Sequence, residues 1–97
     1  MSDLDPVIHP AKRLRLAAVL AAHDEVRFAH LRDTLGLGDA DLSRQLQVLE
    51  EAGYVRSRRS GRGPGSSRWI GFTPAGRRAY TAHVDALREV IAQPSAS

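Results

Sequence analysis

Ala40, Ser43, Arg44 and Gln47 stand at i, i+3, i+4 and i+7, a spacing that puts all four on one face of any helix carrying them. Small and hydrogen-bonding side chains on one face suit contact with base edges in a groove of double-stranded DNA. Arginine pairs bidentately with guanine, glutamine with adenine, and serine with either, each good pair contributing about 1–3 kcal/mol of discrimination. Downstream lie Arg58, Arg59, Arg62 and Arg68, cations able to neutralise phosphates or enter a minor groove. The chemistry these residues offer is non-covalent recognition of a polyanion. Asp41, one position along from Ala40, has two readings: it complements the positive end of a helix, or it accepts from a cytosine amino group in the groove.

Other chemistries find no matching pattern. His9, His23, His30 and His83 include no pair at the i, i+3 or i, i+4 spacing of helical metal ligands, and the chain has no cysteine. No nucleophile sits beside a base in a known local motif, and the glycines from Gly61 to Gly65 lack the lysine and following helix of a phosphate-binding loop. The expectation is a protein that is not an enzyme and that holds no metal and no cofactor.

The net charge of +3 conceals a strong asymmetry. Residues 1–53 carry nine acidic and six basic groups, whereas residues 54–80 carry seven arginines and no acid. Such a segment must be solvated or must meet something negative. Ninety-seven residues allow one domain with a modest core. No apolar run approaches the roughly 18 residues of a membrane span and no secretory signal opens the chain, so no membrane partner is expected and the cytoplasm is the expected location.

The elements that must position these residues follow from periodicity. Leu42, Leu46 and Leu49 form an apolar stripe opposite the Arg44 face, which predicts an amphipathic helix over about 39–52, capped by Asp39 and closed by Gly53. Before it, residues 29–35 form a two-turn helix with Leu31 and Leu35 inward. Gly36 suits the left-handed position after that helix, and Leu37 plugs the angle between the two. Met1 to Ile8 reads as a frayed, disordered tail, and a first helix opens at His9-Pro10 with proline at its first position and runs to about Ala22. Val26 to Phe28 reads as a short strand. Residues 54–59 and 68–73 read as two strands of a hairpin around the glycine-rich loop from Gly61 to Ser67. Ile70 and Phe72 point to the core, and Trp69 packs on the other face against Tyr54 or Arg56; Arg56 is expected to pair with Glu50 or Glu51. Thr73-Pro74 starts a last helix over about 74–92, and residues 94–97 form a second tail. The fold class is therefore mostly α with a small β-hairpin, an α+β winged helix-turn-helix occupying residues 9–93.

With the order of elements in place, the sequence resembles the small bacterial and archaeal winged-helix regulators of the MarR and ArsR families. Leu42-Ser43-Arg44-Gln45-Leu46, Leu49-Glu50-Glu51-Ala52-Gly53-Tyr54-Val55 and Phe72-Thr73-Pro74-Ala75-Gly76-Arg77 carry the resemblance, which spans about half the chain. It implies a homodimeric transcriptional regulator whose helix 39–52 enters the major groove while the wing, residues 58–68, touches the flanking backbone or minor groove. The chain lacks the additional helices of full-length MarR-type proteins and the cysteines of metal-sensing ArsR types. Effector sensing does not carry over, and the residues neither support nor exclude a small-molecule effector.

One helix-turn-helix reaches few bases, so two copies on half-sites about 34 Å apart are expected. Tyr80, Val84, Leu87 and Ile91 form a seam on the last helix, and the first helix is apolar over most of its circumference. The expected dimer surface combines Leu16 and Leu20 with Tyr80, Val84, Leu87 and Ile91. The alternative function is a winged-helix protein–protein interaction module that does not touch DNA, because the fold alone supports both.

Overall fold

In the computed structural model, which describes residues 3–63 and 67–93, the chain runs α1 (Ala11–Ala21), β1 (Val26–Arg27), α2 (Phe28–Leu35), α3 (Asp39–Glu51), β2 (Val55–Ser60), β3 (Ser67–Phe72) and α4 (Pro74–Ala92). The three strands form one antiparallel sheet in the order β1-β3-β2. This is the expected winged helix-turn-helix, with the short first strand closing the free side of the hairpin.

The turn between α2 and α3 is made by Gly36, whose φ of 66° needs a residue without a Cβ. The Leu37 amide reaches back to the Arg32 carbonyl at 3.2 Å, which satisfies an orphan acceptor at the end of α2. Leu37 itself packs partly buried against the core. Beneath this turn lies a single apolar core: Leu31 and Leu35 from α2, Leu42, Leu46 and Leu49 from α3, Val26, Val55, Ile70 and Phe72 from the sheet, and Leu16, Ala17 and Leu20 from α1. Burying each of the larger side chains is worth about 1.5–3 kcal/mol.

Leu16 and Leu20 are both 0% exposed, which removes them from the expected dimer surface. α1 packs against α2, α3, β3 and α4, and both side chains lie in the core that this forms. The disordered tail expected over residues 1–8 is corrected for Asp5–Ile8, which dock on the body with Ile8 at 0% exposure. The Asp5 carboxylate accepts from the Val7 and Ile8 amides at 2.8 and 3.3 Å and from the Tyr54 hydroxyl at 2.7 Å. The Asp5 amide donates to His83 Nδ1 on α4 at 2.8 Å, and Arg13 Nε donates to the Val7 carbonyl. The apolar surface of α1 is thus covered from within the same chain. The tail expected at 94–97 lies outside the described residues.

Three helix starts differ from the sequence reading by one residue, and one is α2, which begins at Phe28 where the short strand is expected to end. Pro10 is the N-cap of α1 and not its first helical residue, and its carbonyl accepts from the Leu14 amide at 2.8 Å. Gly38 is the N-cap of α3, and Asp39 begins the helix, its carboxylate 3.2 Å from Arg32 Nη1. The start of α4 is as expected: Thr73 Oγ1 accepts from the Gly76 amide at 3.0 Å, with proline at the first position. Gly76 lies so close to the Tyr54 carbonyl that a Cβ there would overlap it. Arg77 then donates from both terminal nitrogens to the Ala21 and His23 carbonyls, each at 3.2 Å, and ties α4 to the end of α1.

Candidate nucleic-acid interface

With Leu42, Leu46 and Leu49 turned inward, Ala40, Ser43, Arg44 and Gln47 come to lie together on the exposed face of α3. Arg44 is 73% exposed and its nearest acid is Asp41, 3.9 Å away. Gln47 makes only a contact along its own helix, to Glu51 at 3.2 Å. Both side chains project into solvent with reach to spare.

The flanks of α3 are engaged differently. Asp41 receives Lys12 Nζ at 2.6 Å and Gln45 Nε2 at 3.0 Å. Those hydrogen bonds, Lys12 first, hold its carboxyl below the usual carboxylate range, and they turn the side chain towards α1. Gln45 in turn accepts from Arg13 Nη1 at 2.9 Å. Lys12, Arg13, Asp41 and Gln45 form a clasp that sets the angle of α3 on α1. Sequence reasoning missed it, because the partners lie 29 and 32 residues apart. Arg32 adds a second clasp across the turn through Asp33 and Asp39, which raise its pKa.

Arg58, Arg59 and Arg62 are exposed, Arg62 in the loop beyond β2. Arg58 is bound to Glu25 at 2.7 Å and Arg68 to Glu50 at 3.2 Å. A segment with no acid of its own therefore draws two from elsewhere in the chain. Glu50 also accepts from Ser57 Oγ at 3.4 Å, so it serves Arg68 and Ser57 and not the expected Arg56.

Ile70 and Phe72 face the core as expected, 0% and 5% exposed. Trp69, expected against Tyr54 or Arg56, is held by two other arginines. It stands between the guanidinium groups of Arg27, 5.0 Å from its ring, and Arg58, 5.6 Å away. The register explains this, since Trp69 lies opposite Arg27 on β1 and Arg58 on β2.

On α4 the buried positions are Gly76, His83 and Ala86, which face the body of the domain. Tyr80 is half-buried and its ring lies 5.9 Å from that of Phe72, so it belongs chiefly to the core. Val84 and Leu87 are half-buried, while Val90 and Ile91 are 55% and 81% exposed. Among the described residues no helix is long and apolar enough to cross a membrane.

A helix-turn-helix with an outward polar face, followed by an arginine-bearing hairpin, defines the winged-helix class. Residues 12–91 match the family model described as a winged helix DNA-binding domain, and the chain belongs to that family. No curated protein matches it. Its fold is similar to that of a transcriptional regulator homologue from Pyrococcus horikoshii OT3, with a TM-score of 0.82 and 20% identity over 88% of this chain and 84% of the other. A MarR family transcriptional regulator from Silicibacter pomeroyi DSS gives a TM-score of 0.71 and 20% identity over 86% of this chain and 54% of that one. The homodimeric winged helix-turn-helix DNA-binding domain of a possible ArsR-family transcriptional regulator from Mycobacterium bovis gives 0.76 and 18% over 94% and 81%. At these identities the likeness is one of fold, and the MarR- and ArsR-like resemblance of the sequence stands on it.

Proposed function

We propose that this protein is a sequence-specific, DNA-binding transcriptional regulator acting as a homodimer, with α3 in the major groove and the wing on the flanking backbone or minor groove. The observation that carries the reading is the outer face of α3. Ser43, Arg44 and Gln47 are exposed together there, while Asp41 and Gln45 are drawn off towards α1. What remains outward is a set of donors and acceptors suited to base edges. Arg59 and Arg62 supply phosphate contacts beside it.

Dimerisation is proposed through the distal part of α4, where Val84, Leu87 and Ile91 are joined by Val90. Exposed branched aliphatics on a helix end are favourably buried against their own copies in a two-fold arrangement. The similar domain from Mycobacterium bovis is described as homodimeric, which supports a homodimer here.

Selection of binding sites from a random DNA pool by the purified protein tests the proposal. The expected product is an inverted repeat with half-site centres about 10 base pairs apart. With about three phosphates neutralised per subunit, log K falls against log[salt] with a slope near −5. A pool without enrichment, together with a flat salt response, would overturn the proposal in favour of a protein-binding module.

A further inference from the structure

Strand β1 pairs with β3 only at Val26–Ile70 and Arg27–Trp69, after which the chain turns into α2. The next stretch of β3, Arg68 and Ser67, has Arg59 and Ser60 of β2 on one side and no strand on the other. A cleft of about 410 Å³ opens at this notch, lined by Arg27, Phe28, Ala29, Arg59, Ser67 and Arg68. Three of its six lining residues are arginines and none is acidic. The first turn of α2, which forms its wall, also carries no acid.

The arginines are not equivalent. Arg68 spends its charge on Glu50 and lies over the Phe28 ring at 5.4 Å. Arg27 is exposed, stacks on Trp69, and has no carboxylate partner among the described residues. Stacking orients its guanidinium and leaves the N–H edge free to donate. The cleft thus has a surplus of positive charge with a pre-oriented donor fork at its mouth, between the turn-forming helix pair and the wing.

We propose that this cleft holds a backbone phosphate of bound DNA and that Arg27 is its principal grip. The proposal rests on the DNA-binding reading above and adds to it a residue outside both the α3 face and the hairpin. An open cleft gives a lone anion little advantage over water. A phosphodiester already tethered through α3 and the wing arrives at high effective concentration. A fork-shaped cation suits it, because guanidinium can donate two parallel hydrogen bonds to one phosphate.

The salt dependence of DNA binding by the full chain and by R27Q and R27K, on a selected site and on a scrambled duplex, tests this. R27Q is expected to make the slope of log K against log[salt] shallower by about 0.9 per subunit and to weaken binding to both duplexes by the same factor. R27K, which keeps the charge, is expected to retain the wild-type slope. Because Arg27 is exposed, both variants are expected to melt with the wild type. A wild-type slope in R27Q would overturn the assignment of the cleft while leaving the regulator reading in place. A flat response of the wild type itself would overturn both.

Discussion

At the scale of single residues, His83 is a buried ionisable group away from the outer face of α3. It is 1% exposed, accepts from the Asp5 amide at Nδ1, and places Nε2 3.4 Å from His9 Nδ1. Because Nδ1 accepts, the neutral ring carries its proton on Nε2 and can donate to His9. Protonation would turn Nδ1 into a donor facing the Asp5 N–H. Burial first, and then His9, hold the His83 pKa below the usual histidine range, with Asp5 opposing. A base with a lowered folded-state pKa contributes stability that is fully present above its unfolded value, about 6.5, and is lost as pH falls through the folded value. The melting temperature is therefore expected to drop between pH 7.5 and pH 5, and less so in H83Q; thermal melts across that range check it. Parallel profiles for the two proteins would remove His83 as the cause. On α3, R44A is expected to cost about 1–3 kcal/mol on the preferred site and much less on a scrambled duplex, as read by competition binding. An equal loss on both would mark Arg44 as a phosphate contact.

At the scale of elements, the start of α4 and the end of α3 are joined through one backbone approach. Gly76 sits against the Tyr54 carbonyl, Thr73 N donates to that carbonyl at 3.0 Å, and Thr73 Oγ1 donates to the Gly53 carbonyl at 2.6 Å. G76A adds one methyl where backbone stands and is expected to destabilise by about 1–3 kcal/mol. For a domain of this size that corresponds to roughly 4–8 °C in melting temperature per kcal/mol. Calorimetry showing an unchanged melting temperature would mean that α4 can move off Tyr54 without loss. The Thr73–Arg77 stretch is legible in sequence because capping by threonine and proline is local. The need for glycine at position 76 is not, since it arises from Tyr54, which lies between α3 and β2 and folds back upon the helix.

At the scale of the whole molecule, the proposed dimer depends on surface that the monomer leaves uncovered. Val90 and Ile91 make no demand on the fold, so a V90D/I91D double variant is expected to keep its helical signal while becoming monomeric in sedimentation experiments. DNA binding should weaken strongly, because each half-site then stands alone. A dimer that survives the substitution would place the interface elsewhere.

The order of elements, the inward stripe of α3, the αL turn at Gly36 and the inward faces of Ile70 and Phe72 were all readable from the sequence. Each depends on periodicity or local backbone chemistry, which operate over a few residues. Leu16 and Leu20 were misassigned because an apolar helix face shows that something must cover it and does not show what. Here the cover is the chain's own α2, α3, α4 and sheet. The pairing of Glu25 with Arg58, of Glu50 with Arg68 and of Lys12 with Asp41 likewise required the tertiary structure, since partners 33, 18 and 29 residues apart have no spacing rule. Sequence alone determined which helix face is free of the core. Only the folded chain decided that Arg27 beside it has no carboxylate partner among the described residues, because charge pairing follows distance in space.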